Sequence, residues 1–282
     1  MRTYLDCIPC FIKQTLATGR IATDNEILIK KMLDEVGAKI ASFPIESTPP
    51  EMGKIIYKTI RDIAGNYDPY KTQKADHIAQ ALSLYSELET KMQKSNTKLL
   101  TAIKIAIAGN VIDLGMSKAF DMEEDLKTIL NQSLAICHLD EFIKTLSTAQ
   151  SILYLGDNAG ESVFDKILIQ ALQKPVTYVV REHPVINDVT REDALASGIH
   201  HIATIISSGS DAPGIILDDC SAEFREVFKN ADMIISKGQG NYETLSESKR
   251  PVFFLLKAKC PVIAHHLGVN ENDIVLKKAN HK

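Results

Sequence analysis

The sequence predicts a mixed α/β protein in two parts, a helical N-terminal domain over residues 1–147 and a Rossmann-like three-layer α/β domain with a mostly parallel sheet over residues 148–282. Two observations carry this. Up to about residue 147 the apolar side chains recur every three or four residues, the period of a helix with one buried stripe. From Ser151 onward they come in short β-rich runs, each followed by a polar turn and usually by a helical stretch. Runs that are continuously apolar belong to strands covered on both faces, as in a parallel sheet between helix layers.

The helical elements come first. Between Asn25 and Ala41 the stripe is Ile27, Leu28, Met32, Val36 and Ile40. A second helix carries Ile78, Leu82, Tyr85 and Leu88, and a third Leu99, Ile103, Ala106 and Ile107. Breaks fall at Pro44, at Thr48-Pro49-Pro50 and at Asp68-Pro69, where the backbone cannot continue a helix. The predicted strands are 152–155, 176–180, 201–206, 233–236, 252–256, 261–264 and 273–278. The polar segment between Thr145 and Gln150 marks the boundary between the halves.

Composition narrows the function. At 45% hydrophobic and 24% charged the chain is globular. With 36 acidic and 32 basic side chains it has no positive field for a nucleic-acid backbone or an anionic membrane. No apolar run reaches the ~20 residues of a membrane span, and the opening lacks a signal-peptide core, so a cytoplasmic protein is expected. Five irregularly spaced cysteines are not a disulfide framework.

In an open parallel sheet ligands bind beyond the carboxyl ends of the strands, so the turns there are where chemistry is expected. Four of them are polar: 156–161, the segment around Asn187-Asp188, 207–211 with Ser208, and 237–241. Asp157 and Asn158 offer adjacent hard oxygen ligands that suit Mg²⁺ or Mn²⁺, with a third from Asp188 or Asp193. The alternative is a helix cap and a turn residue. Lys237, Gly238, Gly240 and Asn241 read as an anion cradle, or as a glycine-rich turn with a solvated lysine. Cys7 and Cys10 form one CxxC at a helix start, with Asp6 as a candidate cap. A structural zinc would need Cys260 or His265-His266 in addition. His183 and His200-His201 read as loop and strand-edge residues.

The ordered set GDNAGE (156–161), NDVT (187–190), SGSDAPG (208–214) and KGQGNYE (237–243) resembles the damage-control metal-dependent phosphatases. Also similar are DCIPC (6–10), AGNVID (108–113) and KCPVIAHHLGV (259–269), which point to the cysteine-containing, largely prokaryotic branch. The resemblance implies a helical domain packed on a Rossmann-like one. It further implies a divalent cation (Mn²⁺, Mg²⁺, Co²⁺ or Ni²⁺) on Asp157, Asn158 and Asp188, Lys237 near the phosphate, and Asn110 and Asp113 facing the cleft. Gln239 stands where other branches carry an acid, so their substrates do not transfer. The expected function is metal-dependent hydrolysis of a small phosphorylated, or damaged, metabolite. A methyltransferase using Arg181-Glu182 for its cofactor ribose, and a non-catalytic metal or metabolite binder, are the alternatives.

Overall fold

The computed structural model describes residues 1–109 and 122–279. Helices α1 (Cys7–Ala22), α2 (Glu26–Ser42), α3 (Pro49–Ala64), α4 (Lys71–Lys94) and α5 (Lys98–Ala108) precede α6 (Met122–Asn131). Their ends follow local chemistry. Thr48 and Glu51 form a capping box ahead of the prolines that open α3, and Gly65 closes it in the left-handed region. No helix among the described residues is long and apolar enough to cross a membrane.

Strand β1 (Leu134–Cys137) and α7 (Leu139–Thr148) follow, then β2 (Ile152–Leu155), α8 (Glu161–Leu172), β3 (Val176–Val180), α9 (Arg191–Ala196) and β4 (Thr204–Ser207). The chain continues through α10 (Ala222–Asn230), β5 (Met233–Lys237), α11 (Gln239–Leu245), β6 (Val252–Lys257), α12 (Pro261–Leu267) and β7 (Ile274–Lys278). The seven strands stand in the order β1-β7-β6-β5-β2-β3-β4. All neighbours are parallel except β6 and β7.

Three expectations are corrected. Residues 1–147 are not helix throughout, because β1 lies there and pairs with β7 at the sheet edge. Its half-exposed four residues are too few to stand out as a strand by pattern. Residues 261–264 open α12, where Pro261 sits at the first helical position and Gly268 ends the helix. The helical stripes are also rotated: Ile27 is 80% exposed and α2 buries Ile29, Met32 and Val36, while Leu82 of α4 is exposed.

The sheet separates two apolar cores. Ile152 and Tyr154 of β2 and Met233 and Ile235 of β5 pack with α5 and α8. Leu153, Leu155 and Ile234 pack on the opposite side with Phe224 of α10, Tyr242 of α11 and Ile263 of α12. Helices α1 to α3 build a third cluster around Met32, Met52 and Ile56, which reaches Val185 beyond β3. The chain leaves β2 in one direction toward β3 and β4, then returns to β2's other side for β5. That reversal opens a crevice at the carboxyl ends of β2 and β5, and α1 and α3 roof it.

Candidate active site

A cavity of about 630 Å³ fills this crevice. Asp157 and Asn158, just after β2, share its wall with Asp188, from the segment after β3. The backbone brings the two segments together: Asn158 and Asp188 form an antiparallel bridge, and the Val189 amide donates to the Asp157 carbonyl at 2.8 Å. Asp157 is not a helix cap, since Gly160 holds that position on α8. Asp193 is elsewhere: it completes a capping box with Thr190 on α9 and pairs with Lys74 at 2.9 Å.

The three candidate ligands are buried at 7%, 6% and 3% exposure. Burial, then the charges of Glu161 and Asp188, push the Asp157 carboxyl well above the usual carboxylate range. Burial also raises Asp188, against the pull of Arg181, whose Nε donates to its Oδ2 at 2.7 Å. The Asn158 amide nitrogen donates to Glu161 Oε1 at 2.7 Å and Asp157 Oδ2 at 3.3 Å, so its oxygen is the atom that a cation could take. Crowded, desolvated carboxylates beside a neutral amide oxygen are a donor set that a hard cation relieves. Among the described residues no three His, Cys, Asp or Glu side chains are grouped to hold a metal by themselves. A cation here would therefore rest on two carboxylates and one amide.

Lys237 does not stand where the sequence placed it. Side chains alternate along a strand, so Lys237 follows Met233 and Ile235 to the α8 face of the sheet, beneath the crevice floor. It is fully buried, and its Nζ donates to Asp165 Oδ1 at 2.6 Å and Glu161 Oε2 at 3.0 Å. Burial lowers its pKa, but these two carboxylates outweigh that and raise it. Tyr154 and Tyr178 donate to the same Asp165. A lysine offered to a phosphate is thus replaced by a buried cation holding Glu161, which holds Asn158.

The other expected substrate contacts are also structural. Asn241 is fully buried, its oxygen accepting from Arg181 Nη2 and the Ile215 amide, its nitrogen donating to the Gly156 and Lys237 carbonyls. All four of its hydrogen-bond positions are used within the chain. Ser208 is buried and bonded to Ser210. Gly238, at φ 79°, leaves space for the Asp157 carboxylate, with which any Cβ would collide; Gly240, on the cavity wall, does the same for the Pro213 carbonyl. Asn110 and Asp113 lie outside the described residues.

Several wall residues carried no separate signal in the sequence. Lys259 lines the cavity, and its positive charge acts on Asp157. It opens the motif at 259–269, where the cysteine drew attention instead. Cys7, Cys10 and Cys260 also face the cavity, and burial raises Cys7 and Cys10 rather than favouring thiolate. Asp6 occupies the cap position of α1 without a side-chain cap bond. Arg181 is tied to Asp188 and Asn241, and Glu182 accepts from Ser207, so neither stands ready for a cofactor ribose. His183 bonds Tyr67, and the His200 and His201 rings lie against one another at a tilt of 44°.

A mostly parallel sheet with a carboxylate-rich crevice at its reversal point, roofed by N-terminal helices, places the chain among Rossmann-like α/β proteins that work at their strand ends. More particularly, the chain belongs to the damage-control phosphatase ARMT1-like domain family, whose model matches residues 3–275. It is 34% identical to a damage-control phosphatase of Pyrococcus horikoshii, over all of both chains, and 35% identical to one of Archaeoglobus fulgidus, over 96% of this chain and 97% of the relative. An uncharacterized protein of Methanocaldococcus jannaschii is 36% identical, over 97% of this chain and 94% of its own. A crystal structure of a DUF89 family protein from Pyrococcus horikoshii superposes with a TM-score of 0.92 at 33% identity, covering 99% of this chain and 100% of that one. These relatives support a phosphatase role.

Proposed function

We propose that the chain is a metal-dependent phosphomonoester hydrolase acting on a small phosphorylated metabolite, with Asp157, Asn158 and Asp188 holding a divalent cation. The observation that carries this is the pair of buried carboxylates, each pushed up by desolvation, beside an amide oxygen at the reversal point of the sheet. Such a cation, Mn²⁺, Mg²⁺, Co²⁺ or Ni²⁺, would polarise the phosphoryl oxygens and acidify a bound water. Asp157 orients the attacking water and receives its proton. Lys259 supplies the positive charge for the phosphate from the cavity wall, the part first read into Lys237. Lys237 is a positioning residue that acts through Glu161 on Asn158.

The test is phosphate release from a panel of monoesters. EDTA should stop it, and one of the four cations should restore it. Undiminished release by metal-free protein would remove the cation from the reaction.

A further inference from the structure

We infer that Glu243 is the general acid that protonates the leaving-group oxygen, a role that rests on the phosphatase reading above. Expelling an alcohol from a phosphomonoester at neutral pH is strongly favoured by a proton placed on the departing oxygen. Asp157 and Asp188 are assigned to the cation and the attacking water. Lys237 is sealed beneath the floor between two carboxylates, and burial makes the Cys7 and Cys10 thiols weaker acids.

Glu243 stands on the wall of the same cavity, nearly buried at 9% exposure. Its helix, α11, follows the N-cap Gly238, whose backbone abuts the Asp157 carboxylate. Gln239, Gly240 and Glu243 of α11 line the same cavity as Asp157, so both acids border one space. Gln239, one turn earlier, donates from Nε2 to Glu243 Oε1 at 3.0 Å. That bond fixes the carboxyl. Gln239 Oε1 is buried with no partner among the described residues, an acceptor beside the proton donor.

The surroundings keep the proton in place. Cys7 and Cys10 of α1 line the same wall as thiols that burial holds back from ionising, and the Met1 ammonium donates to the Glu243 backbone carbonyl at 2.5 Å. No lysine or arginine forms an ion pair with its carboxylate among the described residues. Burial raises the group to about 7, against the smaller pull of Gln239 and the Met1 ammonium. In the reaction the bond from phosphorus to the ester oxygen breaks, and its electron pair stays on that oxygen, which takes the Glu243 proton. Water forms the new bond to phosphorus and gives up one proton. Monoester and water become alcohol and inorganic phosphate, and Glu243 is reprotonated from solvent.

The experiment compares leaving groups in wild type and Glu243→Gln, with Glu243→Asp as the conservative control. Against an alkyl phosphate, Glu243→Gln should lose ~10²–10³ in kcat. Against p-nitrophenyl phosphate, whose leaving group departs as a stable anion, the loss should stay below about tenfold. Wild-type kcat on the alkyl ester should fall as pH rises through about 7, and Glu243→Asp should restore part of the activity. Equal losses on both substrates, or no loss on either, would overturn the assignment while leaving the phosphatase reading intact. Wild-type protein that releases phosphate from neither ester with any of the four cations would overturn both. Should Glu243→Gln fail to fold, wild type alone decides. Its rates should depend more steeply on leaving-group basicity above pH 7 than below, and equal steepness overturns the proposal.

Discussion

A fully buried ammonium is costly unless its partners are good, and Lys237 has two carboxylates within 3.0 Å. Removing the lysine leaves Glu161 and Asp165 facing each other without a cation. Lys237→Ala is therefore expected to destabilise the fold by ~3–5 kcal/mol, read as a lower urea midpoint, and to depress turnover through the loosened Asn158. An unchanged midpoint would mean the pair is energetically idle. The lysine itself is legible in the sequence, but its direction turns on whether the strand includes one more residue. With the strand ended at Ser236, Lys237 became a loop residue; with β5 reaching Lys237, alternation with Met233 and Ile235 sends it under α8. Its partners, four residues apart on α8, could be found only from the packing of that helix on the sheet. Asp157 and Asn158 were easier to see, because adjacent oxygen donors after a strand need only the topology to reach the crevice; the residues alone left the third donor open between Asp188 and Asp193, and the resemblance favoured Asp188.

At the scale of the element, one side chain ties the turns after β2 and β5 to each other and to neighbouring segments. Asn241 at the start of α11 joins the turn after β2, the end of β5, the Arg181 side chain and the segment leading to the Ile215 amide. Asn241→Ala leaves these buried groups unsatisfied, at ~1–3 kcal/mol for each that finds no water. The expected result is faster hydrogen exchange at the Ile215 amide and weaker cation binding by titration, with the rest of the sheet still protected. Exchange at Ile215 as slow as in wild type would show that another contact holds the turn. The sequence located these turns because continuous apolar strands end abruptly in Gly, Asn, Asp and Ser. It did not reveal that Gly238 and Gly240 serve close approach, since that depends on the Asp157 carboxylate and Pro213 carbonyl arriving from elsewhere. The strand β1 and the helix at 261–267 were missed for a related reason. Four residues at a sheet edge, or a short apolar run after a proline, do not distinguish helix from strand by period.

At the scale of the whole molecule, the site exists only while α1 and α3 cover the crevice. Charged contacts help fasten this roof: Arg61 of α3 pairs with Asp211 at 2.6 Å and donates to the Pro184 carbonyl, and Lys54 pairs with Asp219. Burial pushes the Asp211 carboxyl up, but the Arg61 hydrogen bond and charge, with Lys54, more than offset this and hold it below its ordinary value of 3.8. A carboxyl depressed in the folded state contributes stability above its unfolded pKa, and that contribution is lost as pH falls through the folded one. The roof is thus expected to loosen in acid before the sheet beneath it, whose core is apolar. Amide hydrogen exchange along α3, which carries Arg61, reports the opening directly. Asp211→Asn should exchange faster there than wild type at neutral pH, and the difference should vanish once pH is well below 3.8. The ion pair is partly exposed, so added salt should narrow the gap at neutral pH. A difference that persisted unchanged into acid would assign the effect to packing at the α3 contact instead of to the charge on Asp211.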